Sequence, residues 1–510
     1  MLAYDFEVDG IYYDSLSSRT CEVVRGDGYK KDNILIPKTV SFNGKDFDVI
    51  GIGSDAFYAQ KAVKSIHIPT SVTAIGSEAF MHCKGLLSIN VEAGNPVYSS
   101  HQGVLYDKSG TCLIKVPMGK TEFSIPNSAT NICDDAFHLC RSLKIVRIPS
   151  SVTRIGDNAF AGCDSLREVD IPGSVEYIGE YAFCGCKALT AIAIPNSVNS
   201  IGRNVLSYCT SLKAVTIPSG LDSIPQGMFN GCTELEMVKI PDGITTIDDY
   251  AFAHCDSLQT ISIPCTVTIL GDNVFQNCSS LRSFEMPEGV TTVGNQVFEY
   301  CSKLETITLP STLAHIGEKV FNGCKMLEKI EVSEDNIAYK SIKGVLFDHS
   351  LNSLIKCPSL ITSDSIPPTV TQIRPYAYFK CNALSKVRIP ESVKEIGEWA
   401  FVGCSSLDTV FMTIPVDLEE TYLPDLKRTL YVPAGKKSDF EKSSYYFNQY
   451  SLFKAIVEYG DATTSIKDNN ILKNDAGGSN IYTLQGVKMI DKAPKKLGVY
   501  IVDRKKVIVK

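Results

Sequence analysis

The chain has 510 residues, of which 44% are hydrophobic and 21% are charged, a composition typical of a folded globular protein. Its net charge of −7 argues against a nucleic-acid partner, because phosphate binding needs a basic protein face. No run of about 18 apolar residues occurs, so no transmembrane segment is predicted.

Residues 1–50 precede the regular part of the sequence. The first ten residues carry three acidic side chains and no apolar segment, so no signal peptide is predicted in this chain. Phe6–Tyr13 and Thr20–Arg25 are rich in β-forming residues and predict strands. Ile34-Leu35-Ile36-Pro37 then introduces the pattern that the following residues repeat.

Cysteine, proline and phenylalanine recur in one register with a step of 23 residues, which predicts a solenoid over residues 51–412. The aromatic position, from Phe57 to Phe401, predicts about thirteen coils. The cysteine column consists of Cys83, Cys140, Cys163, Cys186, Cys209, Cys232, Cys255, Cys278, Cys301, Cys324, Cys381 and Cys404. The proline column runs from Pro126 to Pro310 and continues at Pro367 and Pro390.

One unit, beginning at Ile148, illustrates the coil. Val169 and Ile171 have the spacing of inward-facing residues on a strand, with polar neighbours facing outward. The proline that follows the strand has no N–H and ends the pairing. Val152 and Ile155 are expected to point inward on the return side of the coil. Ala159-Phe160 is expected on a short helical turn that places the ring in the core.

The 23-residue step is interrupted twice, near residues 91–117 and 332–358. Both interruptions separate ladder cysteines by 57 residues and contain the same pattern, Asn-x-x-Tyr, then Gly-Val-Leu-aromatic-Asp, then Leu-Ile-Lys-x-Pro. We interpret each as a coil with an excursion into a β-hairpin. Because the pattern occurs in two copies, we expect a structural element rather than a binding site.

Twelve of the 18 cysteines occupy the repeat position and would stack on successive coils. Neighbouring Cα atoms would be about 5 Å apart, which is within disulfide range, but the Cβ atoms would point in parallel directions. A small apolar thiol suits such a buried column, so we predict free thiols there. Disulfides or a metal site are the alternatives, with Cys184-x-Cys186 as a weak metal pattern.

The C-terminal part changes character. Residues 413–460 include Leu430-Tyr431-Val432-Pro433 and an aromatic cluster, and they predict a C-terminal cap that ends in a helix or an irregular turn. The cluster consists of Tyr445, Tyr446, Phe447, Tyr450 and Phe453. Residues 461–480 are polar and predict a linker. Residues 481–510 predict a small β module of three strands.

The repeats resemble the treponemal-type leucine-rich repeats of the BspA-like family, whose pattern I-P-x-S-V-x-x-I-G-x-x-A-F-x-G-C-x-S-L-x-x-I is nearly complete at Ile148–Val169 and Ile389–Val410. The resemblance implies an α/β-type leucine-rich-repeat solenoid, mostly β with short helical turns. It would be a right-handed, curved stack with parallel strands on its concave side, and residues 1–50 would form its N-terminal β cap. It also implies a bacterial protein that is secreted or displayed at the cell surface, and the C-terminal module is similar to modules associated with surface sorting.

The candidate ligand-binding face consists of the outward-facing strand positions, which vary in type while their neighbours keep the repeat. Unconstrained solvent-facing positions would vary in the same way, and this alternative stays open. The uncharged middle coils are the first place to expect protein or glycan contact. The candidate residues are Arg147, Asp170, Ala193, Thr216, Met237, Lys239, Ser262, Glu285 and Thr308.

No catalytic, cofactor-binding or metal-binding motif accompanies the repeat. The seven histidines form no zinc-protease pattern, and neither a nucleophile elbow nor a phosphate loop occurs. We therefore predict no enzyme and no cofactor. The predicted function is an adhesin-like interaction protein whose partner is a host, microbial or extracellular-matrix protein. The alternative is a glycan- or nutrient-capture surface protein, which aromatic residues clustered on one face would favour.

Overall fold

The computed structural model describes residues 4–26, 28–413, 428–442, 453–459, 481–483, 488–489, 498–502 and 505–509. The predicted linker and the aromatic residues 445–450 lie outside the described residues. Within them, the chain forms stacked coils, and each regular coil has a front strand, a return strand and a tight turn. This confirms the predicted leucine-rich-repeat solenoid.

The front strands pair in parallel, with successive coils in register, as in Ile145↔Glu168 and Ala214↔Met237. In most three-residue front strands the central residue, such as Val146 or Val169, is buried while its two neighbours are exposed. The front strands are Asn33–Leu35, Ser65–Ile68, Ser88–Val91, Glu122–Ser124, Ile145–Arg147, Glu168–Asp170, Ala191–Ala193, Ala214–Thr216, Met237–Lys239, Ser283–Glu285, Thr306–Leu309, Lys329–Val332, Ser363–Ser365, Lys386–Ile389 and Thr409–Met412. A single bridge between Lys239 and Ser262 continues the row.

The return strands form a second parallel row, as in Asn131↔Arg154, and their apolar residues complete the core from the opposite side. Val152 and Ile155 are fully buried, as predicted. The two-residue return strands are Ala74–Ile75, Asn131–Ile132, Arg154–Ile155, Tyr177–Ile178, Ser200–Ile201, Ser223–Ile224, Thr246–Ile247, Ile269–Leu270, Thr292–Val293, His315–Ile316, Gln372–Ile373 and Glu395–Ile396.

The turn that carries the aromatic residue is a third hydrogen-bonded side of the coil, which we call the turn edge. In the coil of Phe137, three N–H groups donate to carbonyls of the next coil, at 2.9 Å from Asp135, 2.7 Å from Phe137 and 2.7 Å from Leu139. The predicted helical turn is wrong for this segment. Residues two before and two after the aromatic position have positive φ, as at Asp135 (56°) and Leu139 (60°), which a right-handed helix cannot accommodate.

The core is built from stacked columns of identical side chains. Phe229, Phe252 and Phe275 are fully buried, with ring centroids 5.1 and 5.6 Å apart along the stack. The ladder thiols are also buried, and most donate to the carbonyl of the residue at the aromatic position of the preceding coil, as from Cys163 to Phe137 O at 3.3 Å, whereas Cys140 and Cys381 donate to Val116 O and Cys357 O. The thiol therefore satisfies a carbonyl that faces the apolar core.

All twelve ladder cysteines are free and buried, which confirms the prediction of thiols. Burial raises the pKa of Cys140, Cys209 and Cys278 to about 12, so these thiols stay protonated. The structure adds a disulfide outside the ladder, between Cys112 and Cys133, whose Cα atoms are 6.1 Å apart on adjacent coils. No group of side chains in the described residues could hold a metal ion.

Each insert is a coil in which a three-stranded antiparallel meander replaces the aromatic turn. The first meander consists of Tyr98–His101, Val104–Asp107 and Cys112–Lys115, and the second of Tyr339–Ile342, Val345–Asp348 and Ser353–Lys356. In each, the third strand takes the place of a return strand and pairs in parallel with the next coil. Coils without an aromatic residue explain why counting aromatic residues underestimates the number of coils.

The meanders do not leave the solenoid, contrary to the predicted excursion. Leu105 packs in the N-terminal core, while its neighbours Val104 and Tyr106 pack in the middle core. In the second meander, Leu346 faces the middle core while Val345 and Phe347 face the C-terminal core. Each middle strand therefore lies across the interior and divides one long core into three.

Both ends of the stack are covered by β-structure. At the N-terminus, Phe6–Val8, Ile11–Ser15, Thr20–Val23, Thr39–Phe42 and Lys45–Ile52 form a sheet that the return strand Ala74–Ile75 joins. At the other end, Arg428–Pro433 and Phe453–Tyr459 extend the front sheet, with the helix Lys437–Lys442 between them. The C-terminal module is a four-stranded antiparallel sheet, one strand more than predicted, of Ile481–Thr483, Lys488–Met489, Gly498–Val502 and Lys505–Val509.

Candidate functional site

The nine candidate residues all lie on the front strands or, for Ser262, at the bridge that continues them, and all are exposed. Eight occupy one column, since pairs such as Arg147 and Asp170, or Glu285 and Thr308, are register partners on adjacent coils. Met237 lies in the neighbouring column, beside Ala214. The structure therefore places these residues on one face of the solenoid.

Two consecutive front strands in the middle of this face, Ala191–Ala193 and Ala214–Thr216, carry no charge, and the next begins with Met237 before Lys239. Ala191 pairs with Ala214, and Ala193 with Thr216, so four small side chains lie together. Met237 follows with 72% of its side chain exposed, which is unusual for a large apolar residue. These five residues form what we call the middle patch.

A hollow of about 450 Å³ opens on the front face where the tip of the second meander meets the front strands. Its lining includes Thr308, one of the candidate residues, and the ion pair between Lys329 and Glu331, whose N–O distance is 2.5 Å. The hydrogen bond from Lys329 lowers the pKa of the Glu331 carboxyl. Ser341 and Gly344 of the meander close one side of the hollow.

A glycine at the tip of each meander allows the tip to lie close to the neighbouring front strand. A Cβ atom added at Gly344 would be 2.9 Å from Cβ of Lys329, and one at Gly103 of the first meander would be 2.6 Å from Cβ of Ser88. Both glycines also have positive φ, 83° and 73°. The matching glycines were visible in the sequence, but the approach they permit depends on tertiary structure.

The C-terminal end of the front face carries aromatic side chains that the sequence reasoning missed. Phe411 and Tyr431 are register partners with ring centroids 4.9 Å apart, and the Arg388 guanidinium lies 4.6 Å from the Phe411 centroid. Phe411 lies 23 residues after Arg388 and pairs with it in register, so the repeat spacing could have found it, but the candidate residues ended at Thr308. The front face is therefore richer in aromatic residues at this end than predicted.

Buried polar groups occur beside the inserts, and their contacts suit a structural role. The Lys356 ammonium donates to Asn322 Oδ1 at 3.1 Å and to Tyr376 O at 3.0 Å. The equivalent Lys115 donates to Asp135 O, and burial lowers the pKa of its ammonium. These lysines supply donors to the first coil after each insert.

An acid and a phenol face each other in the C-terminal core. The Tyr378 hydroxyl donates to Asp364 Oδ2 at 2.6 Å. Burial raises the pKa of the Asp364 carboxyl, although the Tyr378 hydrogen bond opposes that shift. The contact accounts for both polar groups within the fold.

Comparison with known proteins identifies the repeat. The family model for the BspA type leucine-rich repeat region matches in six copies, over residues 40–110, 118–236, 222–353 and 351–422. No curated protein matches the chain.

Solved structures of bacterial leucine-rich-repeat proteins are similar to this chain. A leucine-rich repeat protein from Bacteroides ovatus is 25% identical, with 89% of this chain and 100% of that chain covered and a TM-score of 0.46. A leucine rich cell surface protein from Faecalibacterium prausnitzii is 21% identical, with 90% and 95% covered and a TM-score of 0.27. The family model covers well over half of this chain, so the chain belongs to the BspA-type leucine-rich-repeat family.

Proposed function

We propose that this chain is an adhesin-like interaction protein that binds a protein partner through its front face. The observation that carries the proposal is the middle patch, five uncharged and exposed side chains on three adjacent strands. A flat face without charge can be desolvated by a partner at little cost, which polar or charged side chains would oppose. The partner class is a host, microbial or extracellular-matrix protein.

The front face also has the rigidity that a binding surface needs. Its side chains project from strands that pair with neighbouring coils, Ala214–Thr216 on both sides and Ala191–Ala193 on one, so little conformational entropy is lost when a partner binds. The charged residues Arg147, Asp170, Lys239 and Glu285 flank the middle patch and would form a polar rim. The hollow at Thr308 offers a place for a protruding side chain of the partner.

We also propose that the protein is not an enzyme. The support is the match to a repeat family that builds a surface, and the partly buried Asp364, whose carboxyl pKa burial raises, already accepts the Tyr378 hydroxyl. The front face would bind a partner without catalysing a reaction.

Binding of the purified chain to a panel of extracellular-matrix proteins tests the proposal. The variant Ala193→Glu introduces a charge into the middle patch, and the matched control Ser200→Glu introduces the same charge at an exposed position on the return strand of the same coil. We expect saturable binding to a panel protein, at least tenfold weaker in Ala193→Glu and unchanged in Ser200→Glu. Equal binding by both variants would move the site away from the front face.

We propose a secreted or cell-surface location on the basis of the family. No helix in the described part of the chain is long and apolar enough to span a membrane. Antibody labelling of intact cells tests the location. Labelling only after the cells are lysed would contradict it.

A further inference from the structure

The turn edge has a gap at each insert, because the meander replaces the aromatic turn of one coil. Beside the second gap, three aromatic side chains of adjacent turns lie together. Tyr376 and Trp399 have nearly parallel rings, 11° apart, with centroids 6.4 Å from each other. Phe379 meets Tyr376 edge to face, with centroids 5.7 Å apart. All three side chains are partly exposed and form a continuous surface.

Tyr300 approaches from the other side of the same gap. Its ring lies over Gly323, where an added Cβ atom would be 2.4 Å from Cδ1 of Tyr300. One face of the ring is therefore against backbone, and 36% of the side chain remains exposed. We call Tyr300, Phe379, Tyr376, Trp399 and the two lysines described next the gap patch.

Two lysines complete the gap patch. The Lys319 ammonium lies 4.7 Å from the Tyr376 centroid, and the Lys380 ammonium lies 4.9 Å from the Tyr300 centroid. Within the described residues neither ammonium has a carboxylate partner or a hydrogen bond. The nearby carboxylate of Glu398 accepts from the Trp399 indole N–H, and the Glu299 carboxylate accepts from two glutamine side chains.

The first insert shows that the fold does not require this composition. Both gaps have the same backbone design, but at the first one Glu78, Asp135 and Asn158 occupy the positions of Lys319, Tyr376 and Trp399. There the Asp135 carboxylate lies 3.0 Å from His138 Nδ1. The Tyr376–Trp399 pair and the Lys319 ammonium thus have no equivalent at the first gap, where Tyr58 and His82 pack edge to face instead.

We propose that the gap patch is a binding site for a carboxylated saccharide, such as a glycan that contains a sialic acid or a uronic acid. A pyranose ring has an apolar C–H face that packs on aromatic carbon, and the stacked, partly exposed rings of Tyr376 and Trp399 offer such a contact. A carboxylate on the sugar accepts charge-assisted hydrogen bonds from Lys319 and Lys380. The cleft beneath the patch, about 30 Å³, holds no more than a water, so the sugar lies on the outer surface.

This site is separate from the front face, and its proposal does not depend on the protein-binding function. A carboxylated sugar is favoured over an acidic peptide because its C–H face can pack on the rings while its carboxylate meets an ammonium group. An acidic peptide would be held mainly by the charges.

The protein carries its own reporter, because Trp399 is the only tryptophan in the sequence. Fluorescence of the full chain is titrated with sialyllactose and a hyaluronan hexasaccharide, with lactose as the neutral control and poly-glutamate as the acidic peptide. We expect a saturable change in Trp399 emission with at least one carboxylated sugar and none with lactose. Equal effects of lactose or poly-glutamate, or no saturable change, would overturn the proposal.

Three variants separate binding from folding. Lys319→Gln removes one charge at a position where the preceding coil already has Gln296, with the same φ of 57°. We expect at least fivefold weaker sugar binding in Lys319→Gln and about tenfold weaker binding in Tyr376→Ala. Tyr208→Ala, which removes an exposed ring from the same repeat position as Tyr300, serves as the control and binds normally. Unchanged affinity in Lys319→Gln would refute the site even if Tyr376→Ala fails to fold.

Discussion

Truncation of one ring in the phenylalanine stack has a magnitude that follows from the structure. Phe252 is fully buried, and its ring is nearly parallel to Phe229 on one side and Phe275 on the other. Burial of a phenylalanine contributes about 3 kcal/mol, and each ring pair contributes about 0.5–1.5 kcal/mol. We therefore expect Phe252→Ala to lower the free energy of unfolding by about 4 kcal/mol.

Phe252→Leu is the matched control, because Leu206 already occupies this position two coils earlier and is fully buried there. We expect Phe252→Leu to cost about 1.5 kcal/mol at most. Urea unfolding followed by far-UV circular dichroism measures both variants, and coincident transitions in Trp399 fluorescence confirm that the array unfolds as one unit. A cost below about 1 kcal/mol for Phe252→Ala, or equal costs for both variants, would refute a core held by stacked rings.

Four further predictions concern the turns, the inserts, the thiols and pH. His254→Gly should raise the free energy of unfolding by about 0.5–1 kcal/mol in urea, since His254 is exposed with a φ of 58°, whereas His254→Ala should bring no such gain. Asn336→Ala should lower it by about 3 kcal/mol, because the side chain donates to two carbonyls and accepts from two N–H groups of the insert; a loss under about 1 kcal/mol would contradict this. Iodoacetamide should modify the exposed Cys265 in the native protein but none of the ladder thiols, as mass spectrometry of the peptides would reveal. Burial raises the pKa of Asp364, so the folded wild type loses stability as pH rises from about 4 and this carboxyl loses its proton. The free energy of unfolding of Asp364→Asn should therefore rise relative to that of the wild type between pH 4 and pH 7. A difference between the two proteins that stays constant over this range would refute the prediction.

The coil could be predicted because its core positions are marked by residue type. The cysteine and phenylalanine columns share one 23-residue register, which requires each unit to form one coil whose equivalent positions stack on those of the preceding coil. The turn conformation could not be predicted in the same way. Glycine marks the positive φ after the aromatic residue at Gly162, but at the position two before it Asn158, Tyr181 and Lys319 share no such signal.

The inserts were found in the sequence, but their location in the core was not. Alternation along Val104-Leu105-Tyr106 indicates a strand with two different faces, and only the fold reveals that both faces are buried in separate cores. The same limit applies to the surface. The front-face columns follow from strand periodicity, whereas the hollow at the second meander and the gap patch join residues from different parts of the repeat.

The most direct test of the proposed function is hydrogen exchange of the chain, alone and bound to the matrix protein that the panel retains. The proposal predicts that the partner slows exchange in the front strands from Ala191–Ala193 to Met237–Lys239, with the return strands Ser200–Ile201 and Ser223–Ile224 unaffected. Protection confined to the return strands, the turn edge or the N-terminal sheet would contradict a front-face interaction.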